Sequence, residues 1–167
     1  MIITRIWDYR LLPYLPDAQF KGQLRELVAI MHDWRDQGIT NHLLINRAMG
    51  YDKKELTSYF NRYCEAMRKR YKKGIKCDTI IEFLEFSGYK FGSGYLTDPF
   101  TSSVFFTDEY EDKPIFDGWH NKEYLRVCMA NLYEKHIFGI GKSHITDEEW
   151  ARLCEGYKAI TGEDYEI

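Results

Sequence analysis

The sequence predicts a mainly α protein: a single compact helical domain, residues 1–167, with a long aromatic-rich irregular insertion before its C-terminal helices. Three observations carry that expectation. Apolar residues recur at steps of three and four along several stretches, the period of a helix that buries one face. Capping signals stand where such stretches begin, as in Asp52 with Glu55 and Thr146 with Glu149. Residues 89–118 break the period with glycines, Pro99, Pro114 and the aromatics Phe100, Phe105, Phe106 and Tyr110.

Taken in order, Asp17 reads as the N-cap of a first helix that follows Pro16 and stops at Gly38. Its Phe20, Leu24, Leu27, Met31 and Trp34 form a core-facing stripe. A short second helix is expected from Thr40 or Asn41 to Gly50. A third opens at Asp52, aligns Leu56, Phe60, Tyr63 and Met67, and ends at Gly74. Asp78 reads as the cap of a shorter helix through Glu85 that stops before Gly88. Segment 89–118 is longer than an ordinary loop. Its aromatics are expected to anchor it to the body, with a short hairpin inside it. Helix resumes at Asn121, with Tyr124, Leu125, Cys128 and Leu132 facing inward. A last helix runs from the Thr146 capping box to Gly162.

The net charge of −3 conceals a division along the chain. Residues 1–76 hold 15 Lys and Arg against 8 Asp and Glu, whereas residues 77–167 hold 8 against 18. The chain therefore reads as a basic core, 1–76, followed by an acidic helical extension, 77–167. The basic part points to a polyanionic partner, although solvated helix faces of unequal sign give the same balance. No apolar run approaches the roughly 20 residues that span a bilayer. The N-terminus lacks the regions of a secretory signal. Cys64, Cys77, Cys128 and Cys154 are widely spaced with no C-x-x-C, and read as buried reduced thiols of a cytoplasmic protein.

On the first helix Gln19, Gly22, Gln23, Glu26 and Ile30 share a side, largely opposite the apolar stripe. Gly22 in a helix interior costs roughly 1 kcal/mol relative to alanine. Close approach of a ligand or of another backbone would explain that cost. A lone carboxylate among glutamines, flanked by Arg25, suits a polar anionic ligand. A helix packed on both sides, its glutamines bonded to neighbouring loops, suits the same spacing.

Thr4-Arg5-Ile6, the glutamine-rich helix and Arg25-Glu26 resemble the pyrimidine-dimer DNA glycosylase family, of the phage endonuclease V type. The likeness runs more weakly through His42 and Tyr51-Asp52-Lys53 into the basic helix ending Arg68-Lys69-Arg70. The opening Trp7-Asp8-Tyr9-Arg10-Leu11-Leu12-Pro13-Tyr14-Leu15-Pro16 is similar to that of a bacterial branch assigned to the same family. The resemblance covers the chain to about residue 76.

The resemblance implies a bifunctional enzyme on a compact α-helical fold, acting on damaged double-stranded DNA. An N-terminal α-amine attacks C1′ of the damaged nucleotide, expels the base and forms a Schiff base, and the strand is then cut by β-elimination. An α-amine suits this role because its pKa, about 7.7–8.0, leaves a neutral fraction at physiological pH. The matching carboxylate is Glu26, which stabilises the cationic sugar and moves protons. Thr4 matches the residue that bears the amine in the family; here Met1-Ile2-Ile3 precede it, and bulky Ile2 assigns the free amine to Met1. Lys21 is a substitute nucleophile. Arg5, Lys21 and Arg25 are candidate phosphate clamps, and Gln19 and Gln23 candidate contacts to the lesion or its partner strand. A further family arginine falls near Ala29, where this chain has none. No metal or organic cofactor is called for, membrane binding is not expected, and a monomer is the simplest state.

The run from Arg68 through Lys69, Arg70, Lys72 and Lys73 to Lys76 places cations at a helix C-terminus, where they either complement the dipole or track a phosphate backbone. His42 is either a pocket residue or a structural one. His120, His136, His144 and Cys128 match no compact ligand spacing. Gly92-Ser93-Gly94 lacks the rest of a nucleotide fingerprint. The sequence therefore leads to a DNA-lesion glycosylase with abasic-site lyase activity. Its alternatives are a non-catalytic DNA- or nucleotide-binding module on the same scaffold, and a protein-interaction role for the acidic half.

Overall fold

A computed structural model describes residues 5–39, 43–90, 95–98 and 103–167. The protein is mainly helical, as the periodicity predicts, with helices α1 (Asp17–Gln37), α2 (Leu43–Asn46), α3 (Lys53–Tyr71), α4 (Cys77–Phe86), α5 (Lys122–Phe138) and α6 (Asp147–Thr161). Strands β1 (Tyr95–Asp98) and β2 (Ser103–Phe106) pair antiparallel, Tyr95 opposite Phe106 and Asp98 opposite Ser103. Short 3₁₀ turns occupy Tyr9–Leu11, Arg47–Gly50 and Gly141–Ser143.

The helix boundaries follow local chemistry. At α3 the Asp52 carboxylate accepts from Lys54 N–H at 2.8 Å, and the Glu55 side chain accepts from Asp52 N–H, completing a capping box. Thr146 and Glu149 do the same for α6, and Asn121 caps α5 by accepting from Tyr124 N–H. Gly38 and Gly162 close α1 and α6 in the left-handed region, at φ 71° and 78°. Three expectations need correction, the first being Asp78, which lies inside the first turn of α4, whose N-cap is Lys76. The α3 helix ends at Lys72, which takes φ 56° and donates its N–H to Arg68 O, so Gly74 is not its stop. Asp17 sits inside the first turn of α1, and Phe20 N–H bonds to Pro16 O, so the chain turns one residue earlier than read. Thr40 and Asn41 lie outside the described residues.

The chain packs as two compact units, each discontinuous in sequence: Met1–Arg5 with Glu26–Phe116, and Ile6–Arg25 with Asp117–Ile167. The break at residue 76 falls inside the first. By sequence the first unit holds 14 Lys and Arg with 14 Asp and Glu, the second 9 with 12, which together return the 23 and 26 of the whole chain. The charge division along the chain is therefore not a division between folded units. Residues 77–116 bring their carboxylates into the unit that holds the basic helix.

In the first unit the buried residues include Leu56, Tyr59, Phe60 and Tyr63 of α3 with Phe83 and Leu84 of α4. Phe60 stacks on Phe83 with centroids 3.9 Å apart, and Thr57 Oγ1 donates to Phe83 O. The segment after the hairpin is fastened by polar side chains of α3. Buried Asp108 accepts from Ser58 Oγ at 2.8 Å, Asn61 Nδ2 at 3.3 Å and Tyr110 N–H at 2.9 Å. Arg62 donates to the carbonyls of Tyr110 and Lys113. Glu55 accepts from Phe116 N–H at 2.9 Å, and the buried Phe116 ring meets Tyr51 edge-on. Phe116 holds φ 53°, a conformation costly for an aromatic residue and kept only where surroundings fix it. Phe106, edge-on to Tyr89, and Phe116 supply aromatic anchoring beside the α3 hydrogen bonds, while Phe100 lies outside the described residues.

In the second unit the opening motif is part of the hydrophobic core. Ile6, Trp7, Leu11, Leu12 and Leu15 are buried, as are Leu125, Cys128, Met129 and Leu132 of α5 and Leu153 and Tyr157 of α6. Asp8, fully buried, caps the 3₁₀ turn through Arg10 N–H and pairs twice with the Arg10 guanidinium at 3.0 and 2.9 Å. That pairing raises the Arg10 pKa. Tyr9 N–H donates to His120 Nδ1, so the neutral imidazole carries its proton on Nε2. Arg152 of α6 donates to Pro13 O at 2.6 Å.

Candidate functional site

The α1 helix carries the predicted carboxylate. Glu26 is half-buried, and its Oε2 accepts the Arg5 backbone N–H at 3.2 Å. The first described residue of the chain is thereby tied to the side chain singled out as catalytic. Met1, Thr4 and His42 lie outside the described residues.

The rest of the predicted face is more covered than its spacing implied. Ile30 is buried, and so is Gln23, whose Oε1 accepts the Trp7 N–H at 2.9 Å. Gln23 therefore satisfies an internal backbone donor. Gln19 is half-buried, with its Oε1 enclosed. At Gly22 an added Cβ meets nothing within 4 Å, so among the described residues no close approach accounts for the glycine. Lys21 and Arg25 are exposed on the same helix, and Arg5 is half-buried.

At the end of α3 the structure leaves cations in solvent. Arg68, Lys69, Lys72, Lys73 and Lys76 are exposed and form no ion pair among the described residues, while the Arg70 guanidinium lies 5.3 Å from the Tyr71 ring centroid. Unpaired cations at a helix C-terminus complement the dipole and remain available to phosphate oxygens.

One polar cluster was not anticipated. Glu82 of α4 bonds His32 Nε2 at 2.7 Å and Arg35 at 3.2 Å, and Arg35 also pairs with Asp36. The His32 bond, then the Arg35 pair, hold the Glu82 carboxyl below its usual value. The spacing of His32, Arg35 and Asp36 on one helix was the available signal; their partner on α4 was not readable. Around the remaining candidates, His120 is sandwiched against Tyr9 and Tyr124, and His136 bonds Ile145 O and stacks on Trp150. Among the described residues no group of three or more His, Cys, Asp and Glu side chains is gathered as for a metal. All four cysteines are free, and burial pushes the Cys64 thiol up to about 12.

Residues 4–79 match the family model of the pyrimidine dimer DNA glycosylases. That segment spans α1 to the first turn of α4 and carries Arg5, Glu26 and the basic end of α3. Residues 80–167 lie beyond the match. No curated protein and no solved structure matches the chain. The match covers less than half of the chain and supports, for that segment, a likeness to DNA repair glycosylases in general. No helix among the described residues is long and apolar enough to cross a membrane.

Proposed function

We propose that the protein is a DNA-lesion glycosylase, specific for pyrimidine dimer-like damage, with abasic-site lyase activity. The Met1 amine is the nucleophile and Glu26 the catalytic carboxylate. The observation that carries this reading is the bond from Arg5 N–H to Glu26. Four residues separate the first nitrogen from that N–H, an extended reach of at most about 14 Å. A tether of that length would let the amine fold back to the carboxylate, and an intramolecular amine would act at a raised effective concentration. In the reaction the amine forms a bond to C1′ as the base departs with the glycosidic electron pair. The nitrogen then loses a proton while the C1′–O4′ bond breaks and O4′ takes up a proton, which opens the sugar ring and gives the imine, and removal of a C2′ proton expels the 3′ phosphate. Glu26 moves those protons and balances the positive charge. Arg5, Lys21 and Arg25 hold flanking phosphates, and Arg68, Lys69 and Arg70 add backbone attraction at longer range.

Borohydride trapping on abasic duplex DNA tests the reading. A covalent adduct is expected, reduced about a hundredfold or more in Glu26→Gln, which keeps an acceptor for the Arg5 N–H. No adduct beside a competent control enzyme removes the lyase activity. One observation favours the alternative, a non-catalytic DNA-binding module: Glu26 already has a structural task in holding Arg5. In that case Glu26→Gln leaves salt-dependent duplex binding intact and no adduct forms with either protein.

A further inference from the structure

Two hydrogen bonds join the start of the chain to a single helix. Arg5 N–H donates to Glu26 Oε2 at 3.2 Å, and Trp7 N–H donates to Gln23 Oε1 at 2.9 Å. The donors are two residues apart, the spacing at which extended backbone repeats its direction. The acceptors are three apart on α1, about 4.5 Å along its axis. The earlier donor meets the later acceptor, so the chain there runs antiparallel to α1, and Arg5 leaves it from beside Glu26.

The two acceptors differ in their surroundings. Gln23 is 1% exposed, whereas Glu26 is half-buried. Trp7 is buried, and Ile6 between the donors is fully buried. Of the two polar atoms of an amide side chain only the oxygen accepts, so the bond from Trp7 fixes which way the Gln23 head group faces. An N–H buried this deeply has no water to take the place of a lost acceptor. One bond alone leaves a segment free to pivot about it. Two bonds with a buried residue between them set the direction in which the chain departs from Arg5.

We propose that Gln23 is a positioning residue for the abasic-site lyase reaction, acting through the Trp7 N–H and without touching DNA. This rests on the glycosylase reading above, with Glu26 as the catalytic carboxylate, and adds to it a residue that works through the backbone. In that reading the segment before Arg5 carries the nucleophilic amine, and the rate of an intramolecular attack depends steeply on how its tether is aimed. Gln23 aims it from three residues earlier on the helix that bears Glu26. The nucleophile's tether and the carboxylate then take their places from one rigid element, which is how a reactive pair is held in register. A residue of the same length without an acceptor fills the same space and supplies no aim.

The test is single-turnover borohydride trapping of the full chain on abasic duplex at saturating protein, with rate constant and final amplitude read separately. Affinity is read beside it on a duplex with a stable tetrahydrofuran analogue. Gln23→Met keeps the length of the side chain and removes the acceptor. Its trapping rate constant is expected to fall about tenfold or more, with affinity unchanged. Gln23→Glu offers an oxygen at the same reach in either protonation state, and is expected to recover most of the rate. Gln23→Asn draws the acceptor back by one methylene, with the same loss expected, and serves if the Met variant does not fold. Lower amplitude at an unchanged rate constant means fewer folded molecules and overturns the positioning role, as do wild-type rate constants in the Met and Asn variants. A Glu variant as slow as the Met variant assigns the loss to packing and overturns it. Weakened affinity with a wild-type rate at saturation makes Gln23 a DNA contact and also overturns it, leaving the glycosylase reading in place. A wild-type protein that gives no adduct beside a competent control enzyme removes the lyase reading and this role with it.

Discussion

The Tyr14 ring lies where a side chain at residue 156 would be: a Cβ on Gly156 would stand 2.4 Å from Tyr14 Cγ. The opening motif thus docks on α6 through a glycine that has no spare room. Gly156→Ala is expected to destabilise the protein by about 1–3 kcal/mol, through displacement of a ring that cannot shift cheaply. Urea denaturation with an unchanged m-value checks it. An unaffected midpoint would mean that Tyr14 moves freely.

Gly22 is the opposite case. With nothing among the described residues within 4 Å of an added Cβ, Gly22→Ala is expected to raise stability by about 1 kcal/mol from helix propensity alone. If the glycine serves a bound ligand, the same variant loses affinity for damaged duplex. Thermal melting and a binding isotherm on one preparation separate the two roles.

Gln23→Ala takes the acceptor from the buried Trp7 N–H. The expected loss is about 1–3 kcal/mol of stability, with DNA affinity per folded molecule unchanged. A variant of normal stability and weakened DNA binding would return Gln23 to the binding surface.

Arg68→Ala combined with Lys69→Ala removes two exposed cations at the end of α3. Duplex affinity is expected to fall uniformly across sequences, with the salt slope reduced by about one for each phosphate no longer neutralised. Stability changes little, since these side chains form no ion pair among the described residues. A steep, unchanged slope places the phosphate-binding cations elsewhere.

The Glu82 carboxyl is held below its ordinary value by His32 first and Arg35 second. A depressed folded-state value means stability fully present above the unfolded carboxylate range, near about 4.3, and lost as pH falls through the folded value. Glu82→Gln is therefore expected to melt slightly below wild type near neutral pH, with the gap closing in acid. The pair is largely exposed, so the gap is small and shrinks with salt. A gap that widens on acidification would contradict the assignment.

Charge read by halves of the chain misleads about charge in the folded molecule. The basic run and the acidic segment that follows it fold into one unit, where Lys54 pairs with Glu109 and Arg62 reaches the Tyr110 carbonyl. Linear charge asymmetry survives only where exposed residues stay unpaired, as at Arg68 and Lys69.

By itself the sequence determined the helices and several of their caps, because each of these depends on neighbours within a few positions. Asp52 and Glu55, or Thr146 and Glu149, meet by helical geometry alone. Only the tertiary structure decided which polar groups are internal fasteners. Gln23 meets Trp7, Ser58 meets Asp108, and Glu55 meets Phe116 across separations of 16, 50 and 61 residues. No local period encodes such pairs: a buried donor must find an acceptor wherever packing brings one, and a polar side chain suited to a ligand is equally suited to that task.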